Sequence, residues 1–231
     1  MTAEELFESV DFTKGYYVEM SDFYREYFGS EEDMISFFVK VFQNDKKDKA
    51  PRRMMNQIQR LVSIATDIDR IRPGRDPLRL FFVKTCLEAL CALSGMKKTA
   101  FYESFPSYMS DEGKAYILEN FILTDFDDDM DYEYGASYKL SIDDFFEIVK
   151  AVRGGVAHEG NYWEMQFFVH DDYPSNTSLE TDRQILKSYK YQGKKATRTY
   201  AFLTTMQYER FKHYFVEACI NFLLGFMERN H

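Results

Sequence analysis

The sequence predicts a mostly α fold that carries one small antiparallel β-ribbon ahead of its last helix. Two observations lead there. Apolar residues recur at three-to-four spacing through most of the chain, which is the period of a helix face. After about residue 160 the texture shifts to β-branched and aromatic stretches with turn-formers between them. The supply of core material agrees: of 231 residues 45% are hydrophobic, with 22 Phe, 17 Tyr and one Trp, side chains that each bury a large area.

Taken in chain order, Ser30-Glu31-Glu32-Asp33 places a cap residue before acids, so a helix is expected from there through Phe42. From Pro51 onward Met54, Met55, Ile58, Leu61, Val62, Ala65 and Ile68 form one apolar stripe, with Pro at the first turn and Pro73-Gly74 as the break. Asp76-Pro77 opens a helix over Leu78 to Leu93, closed by Ser94-Gly95. Ser110-Asp111-Glu112 caps a shorter one through Phe121, and Ser141-Ile142-Asp143-Asp144 caps one that runs to Val152. Two or three short antiparallel strands are expected among Glu164 to His170, Gln184 to Tyr191 and Thr197 to Leu203, forming a ribbon over about 163–203. A last helix, roughly Thr205 to Arg229, carries Tyr208, Phe211, Phe215, Ala218, Cys219, Phe222 and Leu223 down one side. A break near residues 96–109 could separate two helical lobes, but nothing there reads as a flexible tether, so one domain over 1–231 is expected.

Composition narrows the class. The opening residues lack a basic segment followed by an apolar run, and INFLLGFM at 220–227 is too short to span a bilayer. No membrane association and a cytoplasmic location are therefore expected. Cys86, Cys91 and Cys219 all sit in apolar helical runs, which predicts buried free thiols. The net charge of −9 argues against a protein that coats nucleic acid unspecifically, yet the charge is unevenly placed. Asp125 to Glu133 carries six acids, whereas Arg183 to Ala201 carries Arg183, Lys187, Lys190, Lys194, Lys195 and Arg198 with no acid.

Most chemical signatures are missing. The chain has no dinucleotide-binding or phosphate-binding glycine loop, no nucleophile elbow, no HExxH and no CxxC. Its four His are scattered singly, and no metal or other cofactor is expected. The acids from Asp125 to Asp131 fail as a calcium loop, because the position that needs Gly is Met130 and the one that needs Glu is Ala136.

One segment stands apart: Arg153-Gly154-Gly155-Val156-Ala157-His158, followed by Gly160, at the end of the amphipathic helix from Ser141. It resembles the HEPN family (higher eukaryotes and prokaryotes nucleotide-binding domains), whose mark is an Arg, four to six residues, then a His. The Arg, the small apolar pair Val156-Ala157, His158 and Gly160 match, while Gly154 stands where that family often has Asn. The resemblance covers about a dozen residues and implies a HEPN-like helical bundle with the ribbon as an insertion. It also implies metal-independent cleavage of RNA, leaving a 2′,3′-cyclic phosphate, in a toxin–antitoxin, defence or stress setting.

The chemistry suits the residue types. Imidazole ordinarily titrates near neutral pH and can move a proton to or from a 2′-hydroxyl or a leaving oxygen, while guanidinium holds phosphate. On a regular helix five residues turn through about 140°, so the two side chains would diverge. Gly154-Gly155 is expected to break that regularity and let both reach one groove. The catalytic candidates are Arg153 and His158. The substrate-binding candidates are Lys150, Lys190, Lys194, Lys195 and Arg198, although Glu147 and Lys150 also suit an ordinary i,i+3 surface pair. Because one His cannot easily serve as both base and acid, the resemblance implies a homodimer with paired sites, an RNA substrate, and an antitoxin or other regulatory protein as partner. The alternative is a non-catalytic HEPN-like module that binds a nucleotide or a protein. Gly154 in place of Asn, the negative charge and the lack of a second nearby His favour it.

Overall fold

The structure is a computed structural model. It describes residues 5, 7, 15–44, 47–126, 141–160, 165–167, 184–193 and 196–229, with 122–126, 184–193 and 196–203 described as backbone. Eight α-helices and three strands are seen among these residues. The helices are α1 (Tyr16–Tyr24), α2 (Glu31–Asn44), α3 (Ala50–Ile71), α4 (Asp76–Ser94), α5 (Lys98–Ser104), α6 (Asp111–Glu119), α7 (Ile142–Glu159) and α8 (Tyr208–Arg229). The strands are β1 (Phe121–Phe126), β2 (Gln184–Gly193) and β3 (Ala196–Thr204).

Local chemistry accounts for several helix ends. Ser30 Oγ accepts the Asp33 N–H at 3.1 Å ahead of α2, and Asp48 Oδ1 accepts the Ala50 N–H at 2.8 Å as α3 begins. At α7 the capping box is complete: Ser141 Oγ accepts the Asp144 N–H and Asp144 Oδ2 accepts the Ser141 N–H, at 3.2 and 2.9 Å. Gly95, just past α4, takes φ 66°, the left-handed backbone that favours glycine.

The residues form two compact units. The first comprises 1–63, 85–108 and 216–231; the second comprises 64–84 and 109–215. Three of the four breaks fall within α3, α4 and α8, and the fourth lies between Tyr108 and Met109, ahead of α6.

The first unit is packed almost wholly from helix faces. Phe7, Tyr24, Met34, Phe38, Met55, Ile58, Cys86, Leu90, Phe101 and Phe222 are sealed from solvent. Aromatic edges meet aromatic faces throughout: Phe222 lies 5.1 Å from Phe101 and 5.3 Å from Tyr108, both near-perpendicular. Tyr24 satisfies its buried hydroxyl by donating to the Met55 carbonyl at 2.7 Å. That burial holds its phenol well above the ordinary range. Cys86 and Cys219 are buried thiols in mutual contact, and burial likewise pushes the Cys219 thiol up.

The second unit joins helices to the sheet. Strand order is β1-β3-β2, all antiparallel, with β3 central: Phe121 pairs with Thr204, and Gln184 pairs with the same residue from the other side. Two departures from expectation appear here. The helix expected to reach Phe121 ends at Glu119, and Phe121 instead starts a third strand. Met165 and Phe167, expected in a strand, are irregular and buried. Phe167 stacks on Phe211 at 5.5 Å, and Phe145 of α7 packs edge-on against Phe121 at 5.5 Å.

Residues 165–167 are anchored by an ionic cluster whose Asp76–Arg79 pair is buried. Asp76 Oδ2 accepts the Phe167 N–H at 2.6 Å, and Arg79 bridges Asp76 and Asp69 at 3.2 and 3.4 Å. The Arg79 guanidinium also lies 4.2 Å from the centre of the Tyr208 ring, whose hydroxyl meets that of Thr66 at 3.3 Å. Burial raises the Asp76 carboxyl, outweighing the opposing pull of Arg79 and the Phe167 amide. No helix among the described residues is long and apolar enough to cross a membrane.

Candidate functional site

The site predicted from the sequence lies on the second half of α7. Four apolar residues seat the helix: Ile148, Val149, Val152 and Val156 are all buried. Their i, i+1, i+4 and i+8 spacing keeps that stripe facing the core across the two glycines. The helix therefore does not break at Gly154-Gly155. It continues to Glu159 and stops at Gly160, whose φ is 65° and whose N–H donates to the Gly155 carbonyl.

This changes what the motif can do within one chain. With the helix regular between them, Arg153 and His158 project about 140° apart around the axis. Arg153 is half-buried with its guanidinium 5.6 Å from the centre of the Phe81 ring, while His158 is exposed. The expected convergence of the pair on one groove, which relied on the glycines as a break, is not the geometry of this helix. Lys150 lies on the Arg153 side of α7 and forms the surface pair with Glu147, Nζ to Oε2 at 2.8 Å.

Two of the other substrate-binding candidates, Lys190 and Arg198, belong to the strands. Lys190 pairs with Thr199 and Arg198 with Tyr191 along the β2–β3 ladder, and the β2 backbone runs next to α7. Lys194 and Lys195 lie outside the described residues, as do the acids of 127–133.

No family model matches the chain. No curated protein and no solved structure matches it either, so the chemistry of its surfaces has to be read from its own residues.

One such surface was missed by the sequence reading. In the first unit, α1 and α3 enclose a cleft of about 340 Å³ whose lining includes Arg53, Asn56, Gln57 and Arg60 from α3, and Tyr16 and Glu19 from α1. The α3 half of this lining was legible: positions 53, 56, 57 and 60 follow the i, i+3, i+4, i+7 rule as a polar stripe. The other wall was not, because Tyr16–Tyr24 lacks a strong apolar period and starts at Gly15, in the left-handed region at φ 97°, without a side-chain cap.

Proposed function

We propose that the chain is a HEPN-like helical module, with the β2–β3 ribbon as its insertion within 163–203, that binds nucleotide or single-stranded RNA without cleaving it. The observation that carries this choice is the unbroken course of α7 through Gly154-Gly155. Proton transfer and phosphate stabilisation must meet on the same phosphodiester. Side chains about 140° apart, one of them held against Phe81, do not meet there. What α7 does offer is an exposed imidazole in its last turn, on a helix whose backbone adjoins a strand that bears Lys187 and Lys190. Those are groups for holding a phosphate backbone.

The test uses a labelled single-stranded RNA in excess EDTA, followed by anisotropy and by gel. Binding that weakens with salt, with the RNA intact, is the expected result. Cleavage by wild type that His158→Ala abolishes would overturn it.

The exposure of His158 favours one second reading, the metal-independent endoribonuclease. A second copy of the chain could bring its own Arg153 or His158 to the exposed imidazole, giving a homodimer with paired sites. In that reading the protein acts in the cytoplasm as a toxin or defence component under an antitoxin or other regulatory protein. Its signature is cleavage of RNA but not of DNA of the same sequence. It would also require a dimer by sedimentation at micromolar concentration.

A further inference from the structure

The cleft between α1 and α3 is lined wholly by residues of the first unit, whereas the motif helix belongs to the second. Arg53 and Arg60 are seven residues apart on one helix, hence on nearly the same face and about 10 Å apart along its axis. Both are exposed. Between them, Asn56 and Gln57 are half-buried, and each is held in place. Tyr16 donates its hydroxyl to Asn56 Oδ1, and Arg60 Nη2 donates to Gln57 Oε1 at 2.8 Å. With their oxygens engaged, both amides have NH₂ groups to offer a ligand. Opposite them, the exposed carboxylate of Glu19 accepts from the Nε2 of Gln59, a side chain only 6% exposed, at 3.0 Å. A carboxylate has room for several hydrogen bonds, so Glu19 keeps acceptor capacity toward the cleft.

This lining is ordered by sign. Two guanidinium forks suit the oxygens of phosphate, which Arg binds in bidentate fashion. The amides are donors, and the single carboxylate suits hydroxyl or amino hydrogens. A volume of about 340 Å³ is at the small end of metabolite sites, which suits a compact molecule. Met20 and the Tyr16 ring add apolar surface beside these polar groups, which suits a ligand that carries a ring or other apolar part as well as its phosphate.

We propose that this cleft binds a phosphorylated small molecule, with Arg53 and Arg60 on its phosphate and Glu19 on a hydroxyl- or amino-bearing end. The site is independent of the HEPN-like reading, and its failure would leave that reading untouched.

Calorimetric titration with two probes tests it: inorganic pyrophosphate, which has only the anionic part, and AMP, which has both parts. Wild type should bind each. Arg53→Ala and Arg60→Ala should each weaken both by about tenfold or more, the usual cost of losing a charge-assisted contact. Arg→Lys at either position should recover part of the loss, since charge returns without the fork. Glu19→Gln separates a ligand site from a merely structural one. It should strengthen pyrophosphate binding by removing a like charge, and weaken AMP binding by removing an acceptor. Circular dichroism of each variant checks that the helices are intact. Absence of binding by either probe at millimolar concentration would overturn the proposal. So would affinities unmoved by the double Arg53→Ala, Arg60→Ala change, or a Glu19→Gln effect of the same sign on both probes.

Discussion

Glycine 154 carries more consequence than its size suggests. A Cβ built there meets nothing within 4 Å, and the backbone around it is ordinary helix. Glycine inside a helix costs roughly 0.5–1 kcal/mol relative to alanine, because the unfolded chain loses more freedom on folding. Gly154→Ala should therefore stabilise the protein, by about 2–4 °C in Tm per kcal/mol for a chain of this size. Thermal melts of the two proteins decide the matter. A lower Tm would mean that position 154 needs a conformation alanine resists, and the convergent Arg153–His158 pair would return to consideration. Gly160 gives the opposite expectation. At φ 65° it occupies the conformation that disfavours a side chain, so alanine there should cost stability.

At the scale of elements, legibility follows the range of the interaction that decides each one. Helices capped by a neighbouring side chain could be read directly: Ser30, Ser110 and Ser141 all stand at or beside the residue where the helix begins. The end of α7 was misread because two glycines look like a stop. Burial of Val152 and Val156 on one stripe carries the helix past them. Strand β1 was invisible locally, since its partner β3 lies about 80 residues further along the chain and supplies every ladder bond it makes. The cleft was half legible for a similar reason: its α3 stripe is local, while α1 reaches it only through the fold. The core of the first unit was legible in outline from aromatic abundance, and its strongest single element is the aromatic end of α8. Phe222 is fully buried among Phe101, Phe105 and Tyr108. Its change to Ala should cost about 3–5 kcal/mol in denaturant unfolding, whereas Val18→Ala, at a site 56% exposed, should stay within about 0.5 kcal/mol. Comparable losses at the two sites would show that Phe222 is not a core anchor.

For the molecule as a whole, the buried phenols set the response to alkali. Tyr24, Tyr116 and Tyr208 all have ionisation pushed upward, in each case chiefly by burial. A raised phenol is protonated in the folded protein at pH values where the unfolded chain, ionising near 10, has begun to lose its proton. The folded state then binds more protons. Its stability is fully present below about pH 10 and falls as pH rises from there toward the folded-state values. Unfolding midpoints in urea should accordingly hold steady up to about pH 9 and drop steeply above about pH 10. The phenolate absorbance contributed by these three rings should appear together with loss of helix, and Tyr208→Phe should flatten the drop. A midpoint indifferent to pH across that range would contradict the burial of these rings.

The order of the first unit along the chain also bears on how it comes into being. Its earliest pieces lie within residues 1–63, but its last piece, 216–231, follows the whole of the second unit. During synthesis the apolar faces of α1, α2 and the first part of α3 are made long before Ala218, Cys219, Phe222 and Leu223, which complete their unit's buried interior. Every contact between those groups spans well over a hundred residues, so that interior closes late and slowly. Until α8 is finished, the nascent chain displays a greasy, aromatic half-core, and that interval is when a chaperone would find it.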